Sequence, residues 1–113
     1  MLPRKQRLVR EADFRRVYRK GATAFSPSIV LKAAPNDLMV TRFGIVVSLK
    51  VSKKAVDRNR IKRQISEVIR LRLAKIKTGR DILLIVKKGQ NIDNYDEVNH
   101  NIEQLLQKTR LYV

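Results

Sequence analysis

From Lys53 to Arg70 the chain reads KKAVDRNRIKRQISEVIR, seven positive side chains in eighteen residues threaded through a one-sided set of isoleucines. On a helix, at about 100° per residue, Ile61, Ile65, Val68, Ile69 and, further on, Ile76 gather on one side. That side has to be buried. The segment therefore predicts a long helix from Ala55 to about Lys77, closed by Gly79, with its apolar side on another layer. Asn59, Arg63, Ser66 and Arg70 follow one another along the opposite side, with Arg60 and Glu67 beside them. Arg58 and Lys62 lie one turn apart at the edge of the buried face.

A helix built this way is in conflict with itself. Exposed charged faces ordinarily mix signs and gain from pairs one turn apart, yet Asp57 and Glu67 are the only acids between Lys50 and Arg70. Cations near a helix N-terminus also oppose the macrodipole. Two readings account for them, a solvated face or contact with an external polyanion. The whole chain favours the second, because 26 Lys and Arg against 10 Asp and Glu leave a net charge of +16 on 113 residues. Self-repulsion on that scale is relieved by nucleic acid. Arginine forks suit phosphate oxygens or base faces, and Lys supplies a point charge. Asn59 adds an amide that can donate and accept, with a cap or turn role as its other reading.

The rest of the chain alternates short elements. Phe14, Val17 and Tyr18 mark a helix over Glu11–Lys20, stopped at Gly21. SIVLKAA (28–34) and RFGIVVSL (42–49) read as strands with PND as a turn between them, and DILLIVKK (81–88) as a buried third strand. A last helix runs from about Tyr95 to Lys108, with Asn94 and Glu97 as a capping box and Val98, Ile102, Leu105 and Leu106 as its stripe. The order is αββαβα in a single domain, residues 1–113, with residues 1–7 read as a flexible basic arm. Helices on a small mixed sheet, a two-layer α/β (α+β) sandwich, are the natural solution.

Charge is unevenly spread. Residues 1–20 hold eight basic side chains and two acids, and residues 50–88 hold fourteen and three. Residues 91–107 hold four acids and no Lys or Arg, so the C-terminal segment is expected to point away from the polyanion. No apolar run approaches the roughly 18 residues of a spanning helix. The start, MLPRKQRLVR, lacks a signal peptide's apolar centre. A cytoplasmic location is the expectation, in agreement with the absence of Cys.

Three segments in order, ADFRRVYRKG, RFGIVVSLKVSKKAVDRNRIKRQISEVIR and GRDILLIVKKG, resemble the protein subunit of bacterial ribonuclease P over almost the whole chain. The run Arg58-Asn59-Arg60-Ile61-Lys62-Arg63 is the most specific part of the likeness. The resemblance implies a sheet with a left-handed βαβ crossover, where the usual rule gives a right-handed one. It implies that Arg58, Asn59, Arg60, Lys62, Arg63 and Arg70, with the basic loop Lys50, Lys53 and Lys54, bind a large catalytic RNA. It further implies that Phe14, Tyr18 and Lys32 line a cleft for the 5′ leader of precursor tRNA. Leu49 interrupts a lysine pair common in the family, Ser66 stands where a basic residue is frequent, and Tyr18 where Phe is frequent.

Catalytic groups are scarce in the sequence. His100 is the single His and falls on the acidic last helix, where a solvent-facing or packed role is expected. Glu11 and Asp13 are two apart and do not share a helix face. No GxxxxGK loop or metal-ligand spacing occurs. No catalytic or metal residue is assigned to the polypeptide. The resemblance implies that Mg²⁺ bound mainly by the partner RNA activates the attacking water. The expected partners are the catalytic RNA and precursor tRNA, with no membrane and no protein partner required. On residues alone, a small ribosomal protein and a DNA-binding protein remain alternatives.

Overall fold

Alternation along four strands sorts the side chains onto two faces of one sheet, and each face takes a different helical cover. The structure, a computed structural model, describes residues 2–87 and 95–113. Helix α1 (Glu11–Lys20) leads into strands β1 (Ala22–Phe25), β2 (Ile29–Pro35) and β3 (Arg42–Val46). Helix α2 (Ala55–Arg70), strand β4 (Arg80–Val86) and helix α3 (Tyr95–Lys108) follow, with short 3-10 turns at Arg4–Gln6 and Leu73–Lys75. The strand order is β1-β2-β4-β3. β2 pairs antiparallel with β1 and β4, and β3 runs parallel to β4, so the chain through α2 is a crossover connection. This is the mixed α+β fold that the pattern of elements predicts.

On one face Ile29, Leu31, Phe43, Val47, Ile82, Leu84 and Val86 meet the stripes of α2 (Ile61, Ile65, Val68, Ile69) and α3 (Val98, Ile102, Leu105, Leu106) in the main core. Each fully buried Leu or Ile contributes about 1.5–3 kcal/mol by leaving water. The other face is covered only in part. There α1 lays Val17 and Phe14 against Ala34 and Leu83, with Leu8 beside them. The pairing registers then divide this second face into three rungs: Ala34–Asp81–Arg42, Thr23–Lys32–Leu83–Gly44, and Phe25–Val30–Ile85–Val46.

Four expectations are corrected. An extra strand, β1, precedes β2. Its four residues ATAF are mostly exposed and carry no strong strand signal, and pairing with β2 makes them a strand. Helix α2 stops at Arg70 rather than Lys77. Arg72 leaves the helix to bond Glu103 Oε2 (3.0 Å), Asn99 Oδ1 (2.5 Å) and the Tyr112 hydroxyl (3.2 Å), and Ile76 pairs with Tyr112 as an isolated bridge, still buried. Gly79, at φ 80°, serves the turn into β4 instead of closing the helix. Residues 2–7 are packed rather than free: Leu2 is buried in the main core and Arg7 bridges to Phe43, so this segment covers the outer edge of β3. Smaller shifts affect the strand ends, with β2 at Ile29–Pro35 and β3 ending at Val46. The cap assigned to Asn94 and the strand end at Lys88 lie outside the described residues.

Candidate nucleic-acid interface

The basic stretch divides into side chains that serve the fold and side chains left to solvent. Lys54 precedes the first residue of α2, and its backbone N–H donates to Ser52 Oγ at 3.2 Å. Arg58 is half-buried. Its Nη1 donates to the Ser52 carbonyl at 2.9 Å, so it ties the loop to the first turn of the helix. Asp57 accepts from Ser52 Oγ (3.2 Å) and pairs with Arg60 Nη2 at 3.7 Å. Arg70 grips Glu67 through two bonds, Nε to Oε2 at 2.9 Å and Nη2 to Oε1 at 2.6 Å. Those bonds hold the Glu67 carboxyl below its ordinary range and raise the Arg70 guanidinium.

Lys50, Lys53, Lys54, Asn59, Lys62 and Arg63 are all exposed, and the four lysines and Arg63 take part in none of the ion pairs found among the described residues. Ser66, placed by helical spacing on the outward side, is buried instead. It lines a groove of about 260 Å³ with Leu2, Arg7, Phe14, Gly44 and Lys62. A helical wheel registers only the helix, whereas this position also meets the N-terminal segment. Leu49 is exposed in the loop before α2.

The groove matters for its position. Phe14 and Gly44 belong to the partly covered face of the sheet and Lys62 and Ser66 to α2, so the helix and that face share a border along β3. On the sheet side, Phe14 is half-buried and owes its seat to Gly44. A Cβ at Gly44 would lie 2.7 Å from Phe14 Cε1 and 2.8 Å from Leu83 Cδ2. Tyr18, one turn on, is 44% exposed, and Lys32 Nζ stands 5.8 Å from its ring centre. Lys32 also donates to Thr23 Oγ1 at 3.3 Å. Phe14, Tyr18 and Lys32 thus lie together on the open face, with Tyr18 the most accessible aromatic ring of the pair.

What holds α1 over this face was missed in the sequence. Asp81 heads β4 and is completely buried, yet it is an acid in an apolar run, the one signal that could have found it. Arg42 donates to both of its oxygens (Nε to Oδ1, 2.8 Å; Nη2 to Oδ2, 2.7 Å), Arg16 of α1 bonds Oδ2, and Asn36 Nδ2 bonds Oδ1 at 2.9 Å. Arg16 Nη1 also donates to the Pro35 carbonyl at 2.7 Å. Asp13 lies 3.5 Å from Arg42 Nη1. The bonds to Asp81 raise the Arg42 guanidinium above its ordinary value.

The carboxylates closest to the open face are therefore occupied by guanidinium groups and are a poor fit for Mg²⁺. Among the described residues no group of three or more His, Cys, Asp or Glu side chains is placed to hold a metal ion. His100 is exposed on α3. No helix among the described residues is long and apolar enough to cross a membrane.

Fold and charge together define a basic α+β protein whose exposed cations and open aromatic shelf meet along one edge of its sheet. A family model described as Ribonuclease P matches residues 2–110. The ribonuclease P protein component of Pseudanabaena sp. is 39% identical over 112 residues, 98% of this chain and 97% of the relative. That of Clostridium kluyveri is 39% identical over 94% of this chain and 96% of the relative. Among solved structures, the Staphylococcus aureus RNase P protein superposes with a TM-score of 0.86 at 28% identity, over 96% of this chain and 98% of that one. The Thermotoga maritima RNase P protein gives 0.81 at 28% identity, over 90% and 96%. The chain belongs to the ribonuclease P protein family, the protein component of a ribonucleoprotein endonuclease of tRNA processing.

Proposed function

We propose that this chain binds the catalytic RNA of ribonuclease P through the loop Lys50–Lys54 and the outward side of α2, and holds the 5′ leader of precursor tRNA on the open sheet face. The observation that carries the reading is the Tyr18 ring, half-open to solvent with Lys32 Nζ 5.8 Å from its centre, one helical turn from Phe14, which shares a groove with Lys62. A ring and an ammonium group so placed suit a base and the phosphate beside it. On α2, Asn59, Lys62 and Arg63 face outward, while Arg58, Arg60 and Arg70 combine charge with local bonds that set the helix and its loop. The polypeptide contributes positioning and charge neutralisation. The phosphodiester chemistry belongs to the RNA and to the Mg²⁺ that it holds, and the particle works in the cytoplasm.

The test is Tyr18→Leu, reconstituted with the cognate catalytic RNA. Leu keeps an apolar side chain and removes the flat face, and an exposed position makes the change mild for stability. Loss of one stacked base costs about 1–3 kcal/mol. Affinity for leader-bearing precursor tRNA should therefore fall about 5- to 150-fold while affinity for mature tRNA stays put. An unchanged ratio of the two dissociation constants would remove the leader assignment and leave the RNA-binding helix to be judged separately.

A further inference from the structure

A separate concentration of cations lies on the other side of the sheet, where α3 ends beside the edge strand β1. Arg80, Lys108 and Arg110 converge there on a hollow of about 420 Å³ floored by Ala22, Ala24 and Ala33. Strand pairing sets Ala22 opposite Ala33, Ala24 opposite Leu31 and Arg80 opposite Pro35, all on the face of the main core. The hollow is therefore turned away from Tyr18 and Lys32. It also lies three strands from β3 and the groove of Lys62, about 14 Å across the sheet. No Asp or Glu lines it, and none of its three cations belongs to an ion pair found among the described residues.

The dipole of α3 explains only one of the three. Lys108, in the last turn, suits the negative end of the helix, and its Nζ donates to the Phe25 carbonyl at 3.0 Å. Arg80 arrives from β4. Its Nη1 is held by the Thr78 and Gly79 carbonyls (3.2 and 3.4 Å), and the rest of its fork remains for an acceptor. Arg110 is the sharper case. The Leu111 N–H donates to the Leu106 carbonyl at 3.0 Å and the Arg110 N–H to that of Gln107 at 3.1 Å, a helix closure whose left-handed residue is ordinarily Gly. Arg110 holds that position at φ 55°, where a Cβ crowds the adjoining carbonyl. Its side chain is exposed and makes no hydrogen bond or ion pair among the described residues, so nothing within the fold offsets the unfavourable backbone. Such a residue points to a ligand.

We propose that Arg80, Lys108 and Arg110 form a second RNA-backbone site, which holds a phosphodiester of a segment other than those on α2 and on the open face. The guanidinium forks take the phosphate oxygens, and the alanine floor admits a ribose at close range because no side chain there extends past Cβ. The inference rests on the reading of this chain as an RNA-binding subunit and adds a surface to it.

The test is the double variant Arg80→Gln with Arg110→Gly, compared with wild type over a salt series, first for affinity to the cognate catalytic RNA and then, as holoenzyme, to precursor tRNA. Gly suits the left-handed turn and Gln keeps a donor, so the melting curve should match or exceed that of wild type. Loss of two phosphate contacts should lower the salt slope by about two, so that the affinity lost between about 50 and 200 mM salt becomes about 10-fold smaller. A lower slope with the catalytic RNA assigns the phosphate to that RNA, and one seen only with precursor tRNA assigns it to the substrate. Should the double variant melt early, Arg110→Gly alone carries the same test with a change of about one. Lys75→Gln, which removes an exposed charge on the side of Leu71 and Tyr95, should leave the slope alone. Wild-type slopes with both RNAs, or an equal drop in Lys75→Gln, would overturn the site and leave the α2 reading intact. A wild-type affinity indifferent to salt would overturn both.

Discussion

Replacing Asp81 by Ala tests whether the buried ion cluster governs both the stability of the fold and the setting of the open face. The carboxylate is fully buried and accepts from two guanidinium groups and one amide. Removing one partner of a buried ion pair costs about 3–5 kcal/mol, because the remaining charge is left uncompensated. Here the arginines have partial recourse to water, with side chains 31% (Arg16) and 19% (Arg42) exposed. The loss should therefore be about 2–4 kcal/mol. For 113 residues, an unfolding entropy of about 2.1 cal/mol/K per residue converts each kcal/mol into about 4 °C. Thermal unfolding of Asp81→Ala should then fall by about 8–17 °C. Asp81→Asn, which keeps the shape and removes the charge, should recover only a minor part. Because Arg16 ties α1 to both Asp81 and the Pro35 carbonyl, the loss should also reach function. Measured well below its midpoint, the Ala variant should discriminate poorly between precursor and mature tRNA yet bind the catalytic RNA normally, since α2 packs on the opposite face. A drop of less than about 4 °C would mean that the cluster behaves as a solvated surface pair and does not anchor α1.

Lys62→Ala with Arg63→Ala should leave stability within about 0.5 kcal/mol and reduce the slope of RNA affinity against salt by about one to two counterions, as followed by filter binding over a salt series. Arg58→Ala should instead lose about 1 kcal/mol in a denaturant titration, because its bond to the Ser52 carbonyl goes with it. An unchanged salt slope in the first variant would return Lys62 and Arg63 to the solvated-face reading. Tyr112 is pushed up to about 12 from 10.0, chiefly by burial and then by its bond to Glu103, so its stabilising contribution is fully present below pH 10 and disappears as pH rises through about 12. Tyr112→Phe should remove that part of the alkaline decline in the urea midpoint; identical alkaline limbs in the two proteins would show that Tyr112 is not its source.

How much was legible in the sequence depended on the range of the interaction responsible. The stripes of α2 and α3 and the pairing of Phe14 with Tyr18 come from the helical period itself, and each was visible in the residues. The end of α2 was not, since Leu71, Leu73 and Ala74 are acceptable helix residues and what ends the helix is the reach of Arg72 to Glu103, Asn99 and Tyr112. Strand β1 likewise depends on its neighbour. Ser66 was misplaced because the segment around Leu2 covers a side of α2 that the helix alone leaves open. Gly44 and Asp81 did carry a signal, a glycine inside a strand and an acid opening an apolar run. The crossover's handedness and the RNA partner came from the family resemblance, and no periodicity contains them.

The acids explain where the net charge ends up. Glu11 pairs with Arg15, Asp57 with Arg60, Glu67 with Arg70 and Glu103 with Arg72, while Asp13 and Asp81 share Arg16 and Arg42. With so few acids, most are spent on arginines that brace a helix or join two elements. Among the many cations outside these pairs, two groups stand close together in the fold. Lys50, Lys53, Lys54, Lys62 and Arg63 follow one another through the β3–α2 loop and the first half of α2, and Lys32 and Lys87 stand on the open face. Each group alone would repel itself, and Lys62 of the first group shares the groove along β3 with Phe14 and Gly44 of the open face. A polyanion that runs along α2 and sends a single strand over that edge relieves both at once, which an isolated phosphate or a short duplex on either surface does not.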